Sequence, residues 1–270
     1  RGYYAEPKAE LAKVLVKMKK HEAAVDMYNE ILSVEPDNYE AWYNKSRLCS
    51  MLGRWTEAAE GYREVLRLKP DSAINYYNLG VALEESGRRE ESIEAYRKAI
   101  EISPDFAEAY NNLGIALTLI GRTQDALEVY EEGIKRKKND FNLYFNLGMN
   151  HFEEQRYMEA SKAFKKALEI KPDELEVYYY LGAALTEMRY YNDAIDAYKK
   201  ALEIKPSDWE LYYSIAAVYA MLGRYDISLE NLKKAVELNP DICEDIERNR
   251  AFDGMRGRSE YKEIVARQAV

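Results

Sequence analysis

The stretch Ala107-Glu-Ala-Tyr-Asn-Asn-Leu-Gly-Ile-Ala-Leu-Thr-Leu-Ile-Gly-Arg-Thr-Gln-Asp-Ala-Leu-Glu-Val-Tyr-Glu-Glu-Gly-Ile134 decides the fold, because near-copies of it recur on both sides. One copy opens at Ala73 and another at Leu175. The prolines give the period: Pro36, Pro70, Pro104, Pro172, Pro206 and Pro240 fall on one lattice of 34 residues, and the vacant lattice point holds Lys138. A period of 20–50 residues is the signature of stacked repeats. With the proline at the thirty-second place, units open at Ala5, Tyr39, Ala73, Ala107, Phe141, Leu175 and Trp209, and the last closes at Ile242.

Each unit reads as two helices. Apolar residues at places four, seven, eight and eleven (Tyr76, Leu79, Gly80 and Leu83 in the unit from Ala73) share one face of a first helix. A Gly-Arg turn follows in four units, at Gly53, Gly87, Gly121 and Gly223. The second helix carries a small residue and a large one four apart, as in Ala126 and Tyr130 or Ala160 and Phe164. Proline ends it, since proline cannot donate a backbone hydrogen bond and biases the residue before it away from helix. Asp37-Asn38, Asp71-Ser72 and Ser207-Asp208 stand where the next helix needs a cap. Small residues at place eight (Ala12, Ser46, Gly80, Gly114, Gly148, Gly182) let the paired helices approach, and the aromatic at place twenty-four is expected to fill the space between units. One such unit cannot bury its apolar face alone, whereas a stack can.

The period, the proline lattice and the Trp/Tyr, Leu, Gly, Ala, Tyr/Phe, Ala, Pro series resemble the tetratricopeptide repeat family over residues 5–242. The units depart from the pattern at Lys8, Lys45, Gly133 and Lys138. The resemblance implies an all-α fold: a right-handed α-solenoid of about seven 34-residue helix-turn-helix repeats. Residues 1–4 read as a leader. Residues 243–270 leave the lattice and read as a degenerate helical cap, with Phe252, Met255, Tyr261, Ile264 and Val265 covering the last apolar face.

The bulk chemistry excludes more than it selects. A net charge of -9 opposes general nucleic-acid binding and adhesion to anionic lipid. The longest apolar run, Ile215–Leu222, is too short to span a bilayer. Cys49 and Cys243 are far apart and suggest neither a disulfide framework nor zinc. The glycines sit at repeat places and form no phosphate loop. His151, at place eleven, reads as a packed core residue. No catalytic constellation appears, so the chain reads as a non-enzyme without metal or cofactor. The opening Arg-Gly-Tyr-Tyr has no initiator Met and reads as a fragment or processed form. A cytoplasmic location is favoured, with the periplasm open if a signal has been removed.

Binding is the remaining chemistry. In the family the first helices line a groove that receives a peptide or a protein segment, mainly through places two, five, six, nine, twelve and thirteen. Here place six holds Asn44, Asn78, Asn112 and Asn146, then Tyr180 and Ser214. An amide both donates and accepts, so a row of them suits the backbone of an extended peptide. This resembles the asparagine ladder of O-linked N-acetylglucosamine transferase; the alternative is that these amides only hold neighbouring helices. Place five is mostly aromatic, with Tyr43, Tyr77, Phe145, Tyr179 and Tyr213, and amphipathic rings make good contacts. Asn111 breaks that series. Ile115, Leu119, Phe145, Met149 and Phe152 are expected to form an apolar floor edged by Asn111, Asn112, Asn142 and Asn146, with Glu84, Glu85 and Glu108 on its acidic side. Charged residues at Phe145 and Met149 are expected to abolish binding without loss of helicity. A carboxylate clamp for chaperone C-termini is incomplete, since Lys13 and Arg47 are followed by Ile74 and Asn78. The run Lys135-Arg-Lys-Lys138 reads as a solvated helix end, with a docking patch or a softer joint as the alternative.

Three functions remain open: a scaffold or adaptor that binds a peptide in its groove, a targeting or regulatory domain of a larger protein, or a module that associates with its own copies.

Overall fold

A computed structural model describes residues 2–266, and side chains from Ala5 onward. The leader residue Arg1, the side chains of residues 2–4 and the last four cap residues, 267–270, lie outside what it describes. The fold is all-α, a solenoid built from helix-turn-helix repeats, and the described chain divides into two compact units at Lys138 and Asn139. The division falls where the proline lattice is vacant.

In the first unit, α1 (Gly2–Lys17) pairs with α2 (His21–Val34), α3 (Tyr39–Met51) with α4 (Trp55–Leu68), α5 (Ala73–Glu85) with α6 (Arg89–Ile102), and α7 (Ala107–Leu119) with α8 (Thr123–Arg136). Helix α1 starts upstream of Ala5 and takes in residues 2–4. Each second helix also packs on the first helix of the next pair: α2 on α3, α4 on α5 and α6 on α7. In the second unit, α9 (Phe141–Glu153) pairs with α10 (Tyr157–Ile170), α11 (Leu175–Glu187) with α12 (Tyr191–Ile204), and α13 (Trp209–Met221) with α14 (Tyr225–Leu238), again with α10 on α11 and α12 on α13. A 3-10 turn at Pro240–Ile242, α15 (Cys243–Arg248), a 3-10 stretch at Arg250–Met255 and α16 (Ser259–Val265) complete the cap. Phe252, Met255, Tyr261 and Ile264 are buried in one cluster with Leu229, Leu232 and Val236 of α14.

The glycine at place eight has a specific partner. A Cβ on Gly80 would lie 2.5 Å from the Tyr96 ring, on Gly114 2.4 Å from Tyr130, on Gly148 2.6 Å from Phe164, and on Gly182 2.6 Å from Tyr198. The aromatic at place twenty-four therefore lies first across the glycine of its own repeat. Phe164 reaches the next repeat as well, stacking on Tyr180 with centroids 6.1 Å apart. That refines the expectation that these rings fill only the space between units. At place four, the Trp42 indole and the Tyr212 hydroxyl donate to the carbonyls of Pro36 and Pro206, tying each first helix to the proline turn before it.

Helix starts are capped unevenly. The Asn38 carboxamide oxygen accepts from the Ala41 N–H, Asp140 from Asn142 and Leu143, and Asp208 from Glu210 and Leu211. Ser72 stands at the same place but its hydroxyl caps nothing, so that expected cap is not formed.

The turn inside each repeat needs a left-handed residue. Gly53, Gly87, Gly121 and Gly223 supply it with φ between 70° and 81°. The same turn in the other three repeats falls on Lys19, Gln155 and Arg189, with φ of 59°, 58° and 63°. A side chain there costs about 1–2 kcal/mol, partly offset by the greater chain entropy of glycine. Gln155→Gly and Arg189→Gly are therefore each expected to stabilise by about 0.5–1 kcal/mol. Urea denaturation would measure it, and unchanged or lowered midpoints would contradict it.

Candidate functional site

The groove residues sit at repeating places on the first helices, so the helix register that builds the core also aligns them. Tyr43, Asn44, Tyr77, Asn78, Asn111, Asn112 and Ile115 are half-buried on α3, α5 and α7, and Leu119 is exposed at the end of α7. In the second unit Phe145, Asn146, Met149, Phe152, Tyr179, Tyr180 and Tyr213 are half-buried on α9, α11 and α13. None is fully buried. The expected apolar floor thus has Ile115 and Leu119 on the first compact unit and Phe145, Met149 and Phe152 on the second.

The asparagines do not behave alike. The Asn44 amide donates to the Glu40 carbonyl of its own helix at 2.8 Å. The Asn112 amide donates to the Tyr77 hydroxyl of the preceding repeat at 3.2 Å, and the Asn111 amide donates to the Asn112 carbonyl oxygen at 3.2 Å. Asn112 thus ties neighbouring first helices together. Asn78 is half-buried in the same row on α5 and has no hydrogen-bond partner among the described residues.

The rings also differ in what they touch. Tyr77 packs against Phe106 and Tyr96, with centroids 5.0 and 5.9 Å away. Phe145 stacks on Phe141 and tilts against Phe164, and Phe152 meets Tyr157 and Tyr180 edge-on. Phe145 and Phe152 therefore support the core while showing one edge. Leu119 packs little and is 55% exposed.

Two features lay beyond the reach of the repeat pattern. The first is the contact made by Glu84, already placed on the acidic side of the groove: its carboxylate accepts from the Tyr96 hydroxyl at 2.7 Å. Burial raises the Glu84 carboxyl above the usual range, and the Tyr96 hydrogen bond opposes that rise. Glu108 stands in the same surroundings and, like Glu84, pushes up the Tyr77 hydroxyl, after burial as the main cause. The second is a cavity of about 470 Å³ lined by Tyr179, Trp209, Tyr213, Ser214, Arg248 and Asn249 among others. The Asn249 amide donates to the Tyr213 hydroxyl at 2.7 Å. Asn249 lies in the tail, off the repeat lattice, so only the spacing of 36 residues from Tyr213, which also separates Asn75 from its partner Tyr39, could have signalled it.

His151 is buried, as expected of a core residue. Among the described residues no three His, Cys, Asp or Glu side chains gather as a metal site, and no helix is long and apolar enough to cross a membrane.

Comparison with known families decides the identity of the repeats. Models described as TPR repeat match residues 84–121, 150–188 and 190–223, and models described as tetratricopeptide repeat match 10–73, 106–139 and 209–242. The chain belongs to the tetratricopeptide repeat family. Among solved structures it is similar to MamA, with 27% identity and a TM-score of 0.59 over 64% of this chain and 94% of that one. YrrB, described as a TPR protein with an unusual peptide-binding site, matches at 22% identity and a TM-score of 0.62 over 68% of this chain and 95% of its own. The C-terminal part of a TPR repeat-containing protein from Cytophaga hutchinsonii matches at 19% identity and a TM-score of 0.75 over 92% of this chain and 99% of that one. At these last two identities the likeness is one of fold. No curated protein matches the chain significantly in sequence.

Proposed function

We propose that this tetratricopeptide repeat chain is a non-enzymatic scaffold or adaptor that binds an extended peptide or partner segment along its first helices. The tetratricopeptide fold and its solved relatives support a protein-interaction scaffold in general, and one relative of the same fold is described by its peptide-binding site. The observation that carries the finer reading is the half-buried row of amphipathic residues. Tyr43, Tyr77, Asn78, Asn111 and Ile115 in the first unit, and Met149, Tyr179, Tyr180 and Tyr213 in the second, keep part of their surface open. Rings of this kind bring a large contact area at small entropic cost, and amides between them can pair with a peptide backbone. Asn44 and Asn112 line the row of the first unit, and Asn146 lines that of the second, where Phe145 and Phe152 form a rigid base.

The test uses residues that keep part of their surface open, with circular dichroism of each variant to check the fold, since Tyr43 also packs against the core. Peptides enriched from a random displayed library on the purified chain would be measured against Leu119→Glu, Asn78→Ala and Tyr43→Ala. Each is expected to weaken binding about tenfold or more, in line with the loss of an interface anchor. Lys98→Glu, on the exposed face of α6, is expected to change little. Equal affinity of all variants would place the peptide elsewhere and remove this reading.

A further inference from the structure

Three repeats open with a ring at place one: Tyr39, Phe141 and Trp209. Two of these rings are covered by a lysine from place thirty-one of the same repeat. The Lys69 ammonium stands 3.9 Å from the centroid of the Tyr39 ring, and the Lys171 ammonium 4.3 Å from that of Phe141. The attraction is electrostatic, since the face of an aromatic ring is negative. In the last repeat place thirty-one holds Asn239, whose side chain instead accepts from the Asp241 N–H. The backbone there is the same, with φ -144° and ψ 97° at Asn239 against -139° and 90° at Lys69. The fold therefore keeps the position from which a lysine covers the ring, but no ammonium stands in it. Among the described residues Trp209 has neither a cation nor a second ring against it, and its indole N–H makes no hydrogen bond.

Trp209 lines the cavity of about 470 Å³ in the second unit together with Tyr179 and Tyr213. Those two rings are held from behind. Tyr213 packs edge-on against Phe252, with centroids 5.7 Å apart, and its hydroxyl accepts from the Asn249 amide. Tyr179 packs against Tyr198 at 6.0 Å. Glu210 and Asp245 line the same cavity and are exposed. Neither carboxylate is in an ion pair or a side-chain hydrogen bond among the described residues. After burial as the main cause, Glu210 pushes up the Tyr179 hydroxyl, so its charge acts on that ring. Arg248 also lines the cavity, but its guanidinium sits on Glu244 at 2.8 Å.

We infer that this cavity receives the cationic side chain of a lysine or arginine in the bound peptide. The inference rests on the reading that a peptide lies along the first helices. Three rings offer their negative faces, and two carboxylates without an ion partner add full charge. A neutral side chain would leave those carboxylates unused, and an acidic one would be repelled by them. The rings are already held in place, so little ordering is spent when the cation enters.

Peptides enriched from a random displayed library on the purified chain test this. They are expected to share a lysine or arginine at one position. Replacing that residue by norleucine, which keeps an apolar stem and removes the charge, is expected to cost about tenfold in affinity. Against a chain carrying Glu210→Gln and Asp245→Asn, the same replacement is expected to cost less than about threefold, because the charge it removes has lost its partners. Asn239→Lys is expected to weaken the cationic peptide about tenfold and the norleucine peptide by less than about threefold, since the chain then supplies its own ammonium to Trp209. Circular dichroism checks the fold of each variant. If Asn239→Lys disturbs the turn that Asn239 caps, the carboxamide variant still decides the matter. Enriched peptides with no shared cation, or a norleucine loss as large in the carboxamide variant as in the parent, overturn the inference while the groove reading stands. A natively folded Asn239→Lys chain that binds the cationic peptide as before also overturns it. A library that yields no binding peptide overturns both readings.

Discussion

Phe164→Ala is expected to destabilise the second compact unit by about 3–5 kcal/mol, the usual cost of deleting a buried phenylalanine. The ring is fully buried. It lies over Gly148, and its centroid is 6.2 Å from that of Phe145 and 6.1 Å from that of Tyr180. It therefore touches both helices of its own repeat and the first helix of the next. Removing it leaves a void against a glycine, which has no side chain to help fill it, so the cost is set by how far the Phe145 and Tyr180 rings can close in. Repeat arrays gain stability from interfaces between neighbours, and this ring takes part in one such interface as well as in the pairing inside its repeat. Urea titration of the intact chain, followed by circular dichroism, would show a transition at lower denaturant for part of the signal. A shift worth less than about 1 kcal/mol would mean the ring is not the keystone its burial suggests.

Much of the architecture was legible because each physical demand recurs every 34 residues. A proline, a small residue at place eight and a ring at place twenty-four restate one packing solution, and the helices α3, α5, α7, α9, α11 and α13 begin where that period opens its units. The turn residues show the limit of reading residue types alone. Gly53 advertises a left-handed turn, whereas Lys19, Gln155 and Arg189 adopt the same backbone and reveal it only through register. Ser72 shows the converse, a capping residue type at a capping place that does not cap.

The candidate site was legible by place and not by contact. Periodicity put Phe145, Leu119 and Asn112 on one side of their helices. It could not tell that Phe145 is stacked into the core, that Leu119 stands open, or that Asn112 is spent on Tyr77. These outcomes depend on the neighbour across each helix pair. They also change the experiment: a charge at Phe145 would disturb Phe164 as well as any ligand, which is why Leu119 is the better probe. The tail contributed Asn249 for a related reason. Its partner Tyr213 belongs to a repeat, but Asn249 itself does not, and a search by place passes over it.

Gly114 carries the second large effect, and its direction is not obvious from propensity. In a helix interior alanine is favoured over glycine by about 1 kcal/mol, so an open site would gain from Gly114→Ala. Here the added Cβ would stand 2.4 Å from two carbons of the Tyr130 ring and 2.8 Å from its hydroxyl oxygen. Tyr130 is itself fully buried, so the ring has nowhere to retreat without moving α8 away from α7. Gly114→Ala is therefore expected to destabilise by about 1–3 kcal/mol, and Gly114→Leu by more, as overpacking does in a dense core. A double-mutant cycle separates the clash from any unrelated effect. With Tyr130→Leu in place the ring is gone, and Gly114→Ala should become neutral or stabilising. The coupling between the two substitutions is then expected to reach about 1–3 kcal/mol. Additive effects of the two changes would mean that the glycine is retained at this place for a reason other than the ring above it. The same cycle at Gly182 and Tyr198 should give the same sign, because a Cβ there meets the Tyr198 ring at 2.6 Å.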